Sequence, residues 1–276
     1  RLAAAAIAGR VDGRLVDLTT PVADGAQVAI VTERDPEALE LLRHSAAHVM
    51  AEAVLELFPD AHFGIGPAIE DGFYYDLEIG RTFTPEDLEA IESKMREIVS
   101  AEQPFGRCVL TRAEAEKVFA DQPYKLELIS ELPDDAEIST YASGPFTDLC
   151  RGPHLPHSGW VKAFKLMKVA GAYWRGDSER PMLQRIYGTA WFSEKDLDAY
   201  LTRLEEAEKR DHRKLGKELD LFHFDELAGS GLVLYHPKGA RVFHELVEWL
   251  SADLYERGYV EIRTPHIYKA DVWKTS

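Results

Sequence analysis

The chain has 276 residues, 45% of them hydrophobic and 29% charged, with a formal net charge of −16. This composition describes a globular protein of about two domains, and no apolar run nears the roughly 20 residues a membrane span needs. The negative charge excludes nucleic-acid binding through overall positive charge but leaves a local basic patch possible.

Residues 1–34 read as the tail of a small β-rich module. Ala8 to Asp17 forms a two-strand pattern about an Asp12-Gly13 turn, and Val28 to Val31 gives a third strand after Asp24-Gly25. The opening Leu2-Ala-Ala-Ala-Ala-Ile7 is short for a signal peptide, so none is expected. The first residue is Arg1 rather than Met, so the chain reads as a piece of something longer.

Asp35-Pro36 starts a helix, with Asp35 as the cap, that runs to about Phe58 before Pro59. His44-Ser-Ala-Ala-His48 lies on it, so its two imidazoles share one face a turn apart. Ala46, Ala47 and Ala51 leave room for another segment to approach. The motif lacks the glutamate of HExxH, and with it that mechanism's general base. A sharp loop, Phe63-Gly-Ile-Gly66-Pro67, precedes the aromatic strand Phe73-Tyr-Tyr75-Asp-Leu77. Thr84 with Asp87 opens a second helix reaching toward Pro104, Phe105 to Leu110 is a strand, and Thr111 with Glu114 caps a third helix. Tyr124 to Leu132 makes a fourth.

From Ile138 the pattern turns to strands, over Ile138 to Ala142, Phe146 to Cys150, Phe164 to Trp174 and Met182 to Phe192. Cys150-Arg-Gly-Pro-His154 therefore begins at a strand end and turns at Gly152-Pro153. Together the two motifs offer four nitrogen and sulfur groups, suited either to a tetrahedral metal site or to a polar hydrolytic pocket. Two cysteines, one of them in this set, argue for a reducing cytoplasm. Ser193 caps a long charged helix to about residue 219, a spacer between domains. It bears the basic run Lys209, Arg210, Arg213, Lys214 and Lys217, either a solvated helix end or a nucleic-acid contact. Leu232 to Tyr235 is a strand. Arg241 to Arg257 is an amphipathic helix with Phe243, Leu246, Val247 and Leu250 inside, closed by Gly258, and Tyr259 to Pro265 is a last strand.

Arg43 to His48, Ile65-Gly66-Pro67, Gly72 to Asp76, Asp148 to His154, Phe164 to Lys168, Ala170 to Ser178 and Leu183 to Trp191 together resemble bacterial-type threonyl-tRNA synthetase, in order and along essentially the whole chain. The resemblance implies an α+β, multidomain chain. A partial TGS module (1–34) comes first, then an editing domain (35–192) of the threonyl/alanyl second additional type with an HxxxH/CxxxH cleft. A linker helix (193–220) leads to the start of a class II antiparallel-sheet domain (221–276), with its first motif near 257–265.

It further implies ATP-dependent ligation of threonine to tRNA(Thr), with the aminoacylation site beyond Ser276. ATP, Mg2+ and one Zn2+ are expected there, and homodimerisation is expected through the class II domain. The portion at hand would edit by hydrolysing mischarged seryl-tRNA(Thr), since a pocket gains only about 1–3 kcal/mol from the one methyl that separates threonine from serine. His44, His48 or His154 would orient or deprotonate water, Lys125 would balance charge on the ester oxygen, and Asp148 would bind the serine ammonium or hydroxyl. Tyr75, Tyr187 and Gly66 would contact substrate. Cys150 has three readings: metal ligand, substrate contact or buried filler. Editing is expected to need no metal, and His44, His48, Cys150 and His154 would be the ligands if one binds. Under the resemblance, Lys209, Arg210, Arg213, Lys214 and Lys217 would touch the tRNA backbone, while Tyr173, Trp174 and Trp191 are expected to be core. The alternatives are a freestanding trans-editing deacylase and a non-catalytic tRNA-binding module.

Overall fold

The computed structural model describes residues 3–229 and 231–264. It divides into two units, Arg1–Leu201 and Thr202–Ser276.

In the first unit, β1 (Ala6–Val11), β2 (Arg14–Val16) and β3 (Val28–Thr32) form an antiparallel sheet in the order β2-β1-β3. Asp12 and Gly13 both take positive φ in the β1–β2 turn, as a tight hairpin requires. Helix α1 (Ala38–Leu57) follows. Asp35 does not cap it: its carboxylate turns back to accept from the backbone N–H and hydroxyl of Thr32, and Glu37 takes the cap position without a side-chain bond. Fourteen residues of α1 are buried, so the helix is a central strut rather than an amphipathic surface helix.

Around α1 lies a five-stranded antiparallel sheet of β4 (His62–Phe63), β5 (Ala68–Ile69), β6 (Gly72–Glu78), β10 (Ala163–Tyr173) and β11 (Met182–Trp191), ordered β10-β11-β6-β4 with β5 also on β6. Helix α2 (Pro85–Ser100) packs on α1, and Thr84 with Asp87 forms the expected capping box. A second antiparallel sheet, β7-β8-β9, comprises Gly106–Leu110, Ile138–Ser143 and Phe146–Leu149. Its β7–β8 connection carries α3 (Arg112–Val118, capped by Thr111 and Glu114) and α4 (Pro123–Ser130). One core cluster runs from Ile7 and Val31 through α1 to Phe73, Tyr75, Ile186 and Ala190. The leading strands and the following α+β layers thus share one apolar interior. Trp174 is core at 1% exposure, whereas Tyr173 stands in solvent and Trp191 is half-buried under the Arg43 guanidinium.

The helix expected from Ser193 to about 219 is broken. Ser193 does cap α5 (Glu194–Lys209), accepting from the Asp196 N–H at 3.2 Å. Asp211 then caps a separate α6 (His212–Glu218) by accepting from the Arg213 N–H. A side chain that captures a local N–H favours a cap over helix continuation. In the second unit, β12 (Phe222–Phe224), which the sequence pattern did not suggest, pairs antiparallel with β13 (Val233–Tyr235), and α7 (Pro237–Glu256) follows. Phe243, Leu246, Val247 and Leu250 of α7 are exposed, not inside: among the described residues of this unit, two three-residue strands and α6 offer too little surface to cover a 20-residue helix. Gly258 follows the helix with φ +85, as a terminating glycine does. Tyr259 to Thr264 form no strand, and Pro265 lies outside the described residues.

Candidate hydrolytic site

The two motifs meet. His44 and His48 project from one face of α1, and β9 delivers Asp148 and, just past its end, Cys150. The Gly152-Pro153 turn returns His154 to the same place. One ligating atom from each of His44, His48, Cys150 and His154 lies within 4.8 Å of the others. The His154 ring sits 4.4 Å from that of His44 and 4.2 Å from that of His48.

A single direction of hydrogen bonding satisfies this group with every member neutral. The Leu155 N–H donates to Ser45 Oγ at 3.0 Å, and Ser45 Oγ lies 3.1 Å from His154 Nδ1. His154 Nε2 lies 3.4 Å from Cys150 Sγ, which is 3.0 Å from His44 Nε2 and also accepts from the Gly152 N–H. The other ring nitrogen of His44 donates to the Gly66 backbone. Burial drives this neutrality. It lowers His44, and it holds His48 and His154 well below the usual imidazole range, with neighbouring imidazoles adding to the effect. Burial first, and the Asp148 charge second, push the Cys150 thiol up to about 12. A protonated thiol is a weak nucleophile, which disfavours covalent catalysis by Cys150. The donor set of three imidazoles and one sulfur fits a metal ion in kind, provided that thiol gives up its proton.

Beside the imidazoles lies a buried charged group. Lys125, from α4, and Asp148 form an ion pair, each under 5% exposed. Tyr75 donates its hydroxyl to Asp148 Oδ2 and accepts from Lys125 Nζ at 3.0 Å, while His48 Nε2 is 3.5 Å from that carboxylate oxygen. Asp148 Oδ1 is the oxygen that meets the Lys125 ammonium. Burial and the Asp148 charge hold the Tyr75 phenol well above its usual range, so it stays a donor.

A cavity of about 330 Å3 opens on His44 between Leu15, Leu41, Pro67, Ala68 and Gly152-Pro153. Others of about 180 and 250 Å3 touch Cys150 and Lys125. A cavity of about 560 Å3 beside β6, β10 and β11 contains none of these side chains. His44 is therefore the imidazole that faces open space, whereas His48 and His154 lie behind it at 2% and 1% exposure.

Gly66 joins the cluster through its backbone. A Cβ there would fall 2.2 Å from the Tyr75 ring. Gly66→Ala is expected to displace Tyr75 or the backbone that holds His44, at a stability cost of about 1–3 kcal/mol. A denaturant melt checks this, and unchanged stability would refute the contact.

The structure does not bring Tyr187 to the group. Register pairs Tyr187 with Tyr74 and Ile186 with Tyr75, and successive residues alternate faces, so Tyr187 lies on the opposite face of the sheet from Tyr75. There it stands 5.8 Å from the Tyr74 ring, with Lys168 over it. The basic run is also distant in sequence order and partly compensated: Lys209 and Arg210 pair with Glu206, and Arg213 pairs with Asp211. Lys214 and Lys217 are exposed.

Sequence reasoning missed three supporting residues: Ser45, Tyr141 and Asp17. Ser45 lies inside the first motif. Tyr141 and Asp17 carry no local signal, because long-range contacts alone place them.

The chain is similar to known proteins along its whole length. The family described as "Threonyl and Alanyl tRNA synthetase second additional domain" matches residues 138–187, the stretch from β8 to β11 that includes Asp148, Cys150 and His154. Proteins named threonine--tRNA ligase from Citrifermentans bemidjiense and Geobacter sp. (strain M21) are each 56% identical over 277 aligned residues, covering 100% of this chain and 43% of the relative. One from Nitrosomonas eutropha is 53% identical, again along the whole chain. The chain thus spans less than half the length of the curated relatives it matches. Over that span it is similar to proteins named threonine--tRNA ligase.

Proposed function

We propose that this chain hydrolyses the ester of seryl-tRNA(Thr), acting as the editing portion of a threonyl-tRNA synthetase. The reading assigns residues 35–192 to editing, 1–34 to a partial TGS module, 193–220 to a linker and 221–276 to the start of the class II domain. The observation that carries it is the convergence of the buried Lys125–Asp148–Tyr75 group with a neutral imidazole–thiol chain open to a cavity at His44.

His44 faces the cavity in which the attacking water sits, and its Nε2 takes the water's proton when that lone pair is released from the Cys150 thiol. Lys125 stabilises negative charge on the carbonyl oxygen in a site that excludes bulk water. Asp148 orients Lys125 through Oδ1 and His48 through Oδ2, and its carboxylate receives the serine hydroxyl or ammonium. Cys150 acts as a protonated link between His44 and His154, so water rather than sulfur attacks. His44, His48, Cys150 and His154 are the residues that would hold a metal ion, which would supply Lewis acidity there; no step in this reading passes through one. Tyr187, with Lys168, and the exposed Lys214 and Lys217 are assigned to the tRNA rather than to the reacting ester. Aminoacylation, with its ATP, Mg2+, Zn2+ and dimer contacts, belongs to the whole synthetase.

The test is deacylation of seryl-tRNA(Thr) beside threonyl-tRNA(Thr), with and without a chelator. Loss of serine alone, unaffected by chelation, is the expected result. Equal loss of both aminoacyl groups would exclude a sieve. Tight tRNA binding with neither lost would favour a binding module.

A further inference from the structure

The leading β-module reaches into the hydrolytic site. Asp17, just after β2, accepts the backbone N–H of His154 on Oδ1 at 2.9 Å and the Tyr141 hydroxyl on Oδ2. The Tyr141 ring packs 4.5 Å from the His154 imidazole. Its hydroxyl also fills the space beside Gly152, where a Cβ would lie 2.0 Å from the oxygen and where φ is +67. One carboxylate therefore fixes both the backbone of His154 and the ring beneath it. Ser45 holds the opposite side by bonding His154 Nδ1 and the Leu155 N–H. Leu15, from β2 itself, walls the cavity that opens on His44.

We propose that Asp17 is a positioning residue for hydrolysis, and that the leading module completes the editing site rather than merely preceding it. The proposal rests on the hydrolytic reading above. His154 sits on an irregular loop with no helix or strand to aim it, and Asp17 supplies the fixed acceptor that a strand neighbour would otherwise provide. Misplacing the ring would open the Cys150–His154 bond at one end of the chain leading to His44, without touching the groups that bind substrate.

Asp17→Ala, Asp17→Asn and Tyr141→Phe are to be compared by single-turnover hydrolysis of seryl-tRNA(Thr) and by imidazole nitrogen–proton NMR of His154. Asp17→Ala is expected to lower the saturating rate about tenfold or more, with half-saturation nearly unchanged, and to shift the His154 resonances. Asp17→Asn keeps an oxygen for the His154 N–H and should recover to within about threefold, with the resonances restored. Tyr141→Phe should fall between them. Wild-type rate and resonances in Asp17→Ala would overturn the proposal. So would equal losses in Asp17→Ala and Asp17→Asn with His154 unshifted, since charge and not position would then be at work. If the unaltered chain leaves seryl-tRNA intact, the editing reading fails; an unshifted His154 in Asp17→Ala then overturns the positioning, and a shift restored by Asp17→Asn upholds it.

Discussion

Replacing Lys125 by methionine should cost about 3–5 kcal/mol of stability and reduce seryl-ester hydrolysis by about a hundredfold or more. The two losses have different causes. Stability falls because Asp148, 3% exposed, is left as a buried carboxylate with Tyr75 and His48 as its remaining partners. Activity falls, on the editing proposal, because the cation assigned to the developing oxyanion is gone. The double variant Lys125→Met with Asp148→Asn separates them: it removes both charges, so most of the stability should return while hydrolysis stays lost. Denaturant unfolding beside single-turnover hydrolysis reads both. A Lys125→Met chain that hydrolyses within about threefold of the original rate would remove Lys125 from the chemistry.

Acid should unfold the first unit earlier than its surface charges alone would suggest. His44, His48 and His154 have pKa values depressed by burial, so between those values and about 6.5 the unfolded chain binds protons that the folded chain refuses. Stability is then complete above the unfolded value and falls with pH, by up to about 1.4 kcal/mol per pH unit for each histidine. Glu52 acts in the opposite sense. Buried and bonded by Ser143 and Gln103, it is raised by burial to about 7. Its contribution is therefore present below the ordinary carboxylate value and lost as pH rises through about 7. Three imidazoles outweigh one carboxyl, so the melting temperature should drop from pH 7 toward pH 5. Glu52→Gln should be more stable at pH 8 by about 1–3 kcal/mol and steeper in its acid loss. Melting curves across that range decide it. A melting temperature that rises on acidification would mean the imidazoles are charged in the folded chain.

How much was legible beforehand follows the range of the interactions involved. The capping boxes at Thr84 and Thr111, the Asp12-Gly13 turn and the alternating strands from Ile138 onward are fixed by neighbours within a few residues, and each formed as its local chemistry dictates. Where local signals competed, reading failed: Asp35 bonded backward to Thr32 instead of forward into α1, and Asp211 stopped a charged helix that composition alone would have continued. The site residues His44, His48, Cys150 and His154 stood out because imidazoles and a thiol at turn spacing are chemically conspicuous.

The sequence by itself thus determined which groups are available for chemistry and the elements that carry them. Only the tertiary structure decided their states and partners. Burial lowers the three imidazoles and raises the thiol, and strand register, not aromatic character, turns Tyr75 toward Asp148 and Tyr187 away from it. The contact of Asp17 with His154 spans 137 residues, and no local pattern encodes a hydrogen bond between segments that only the shared core brings together.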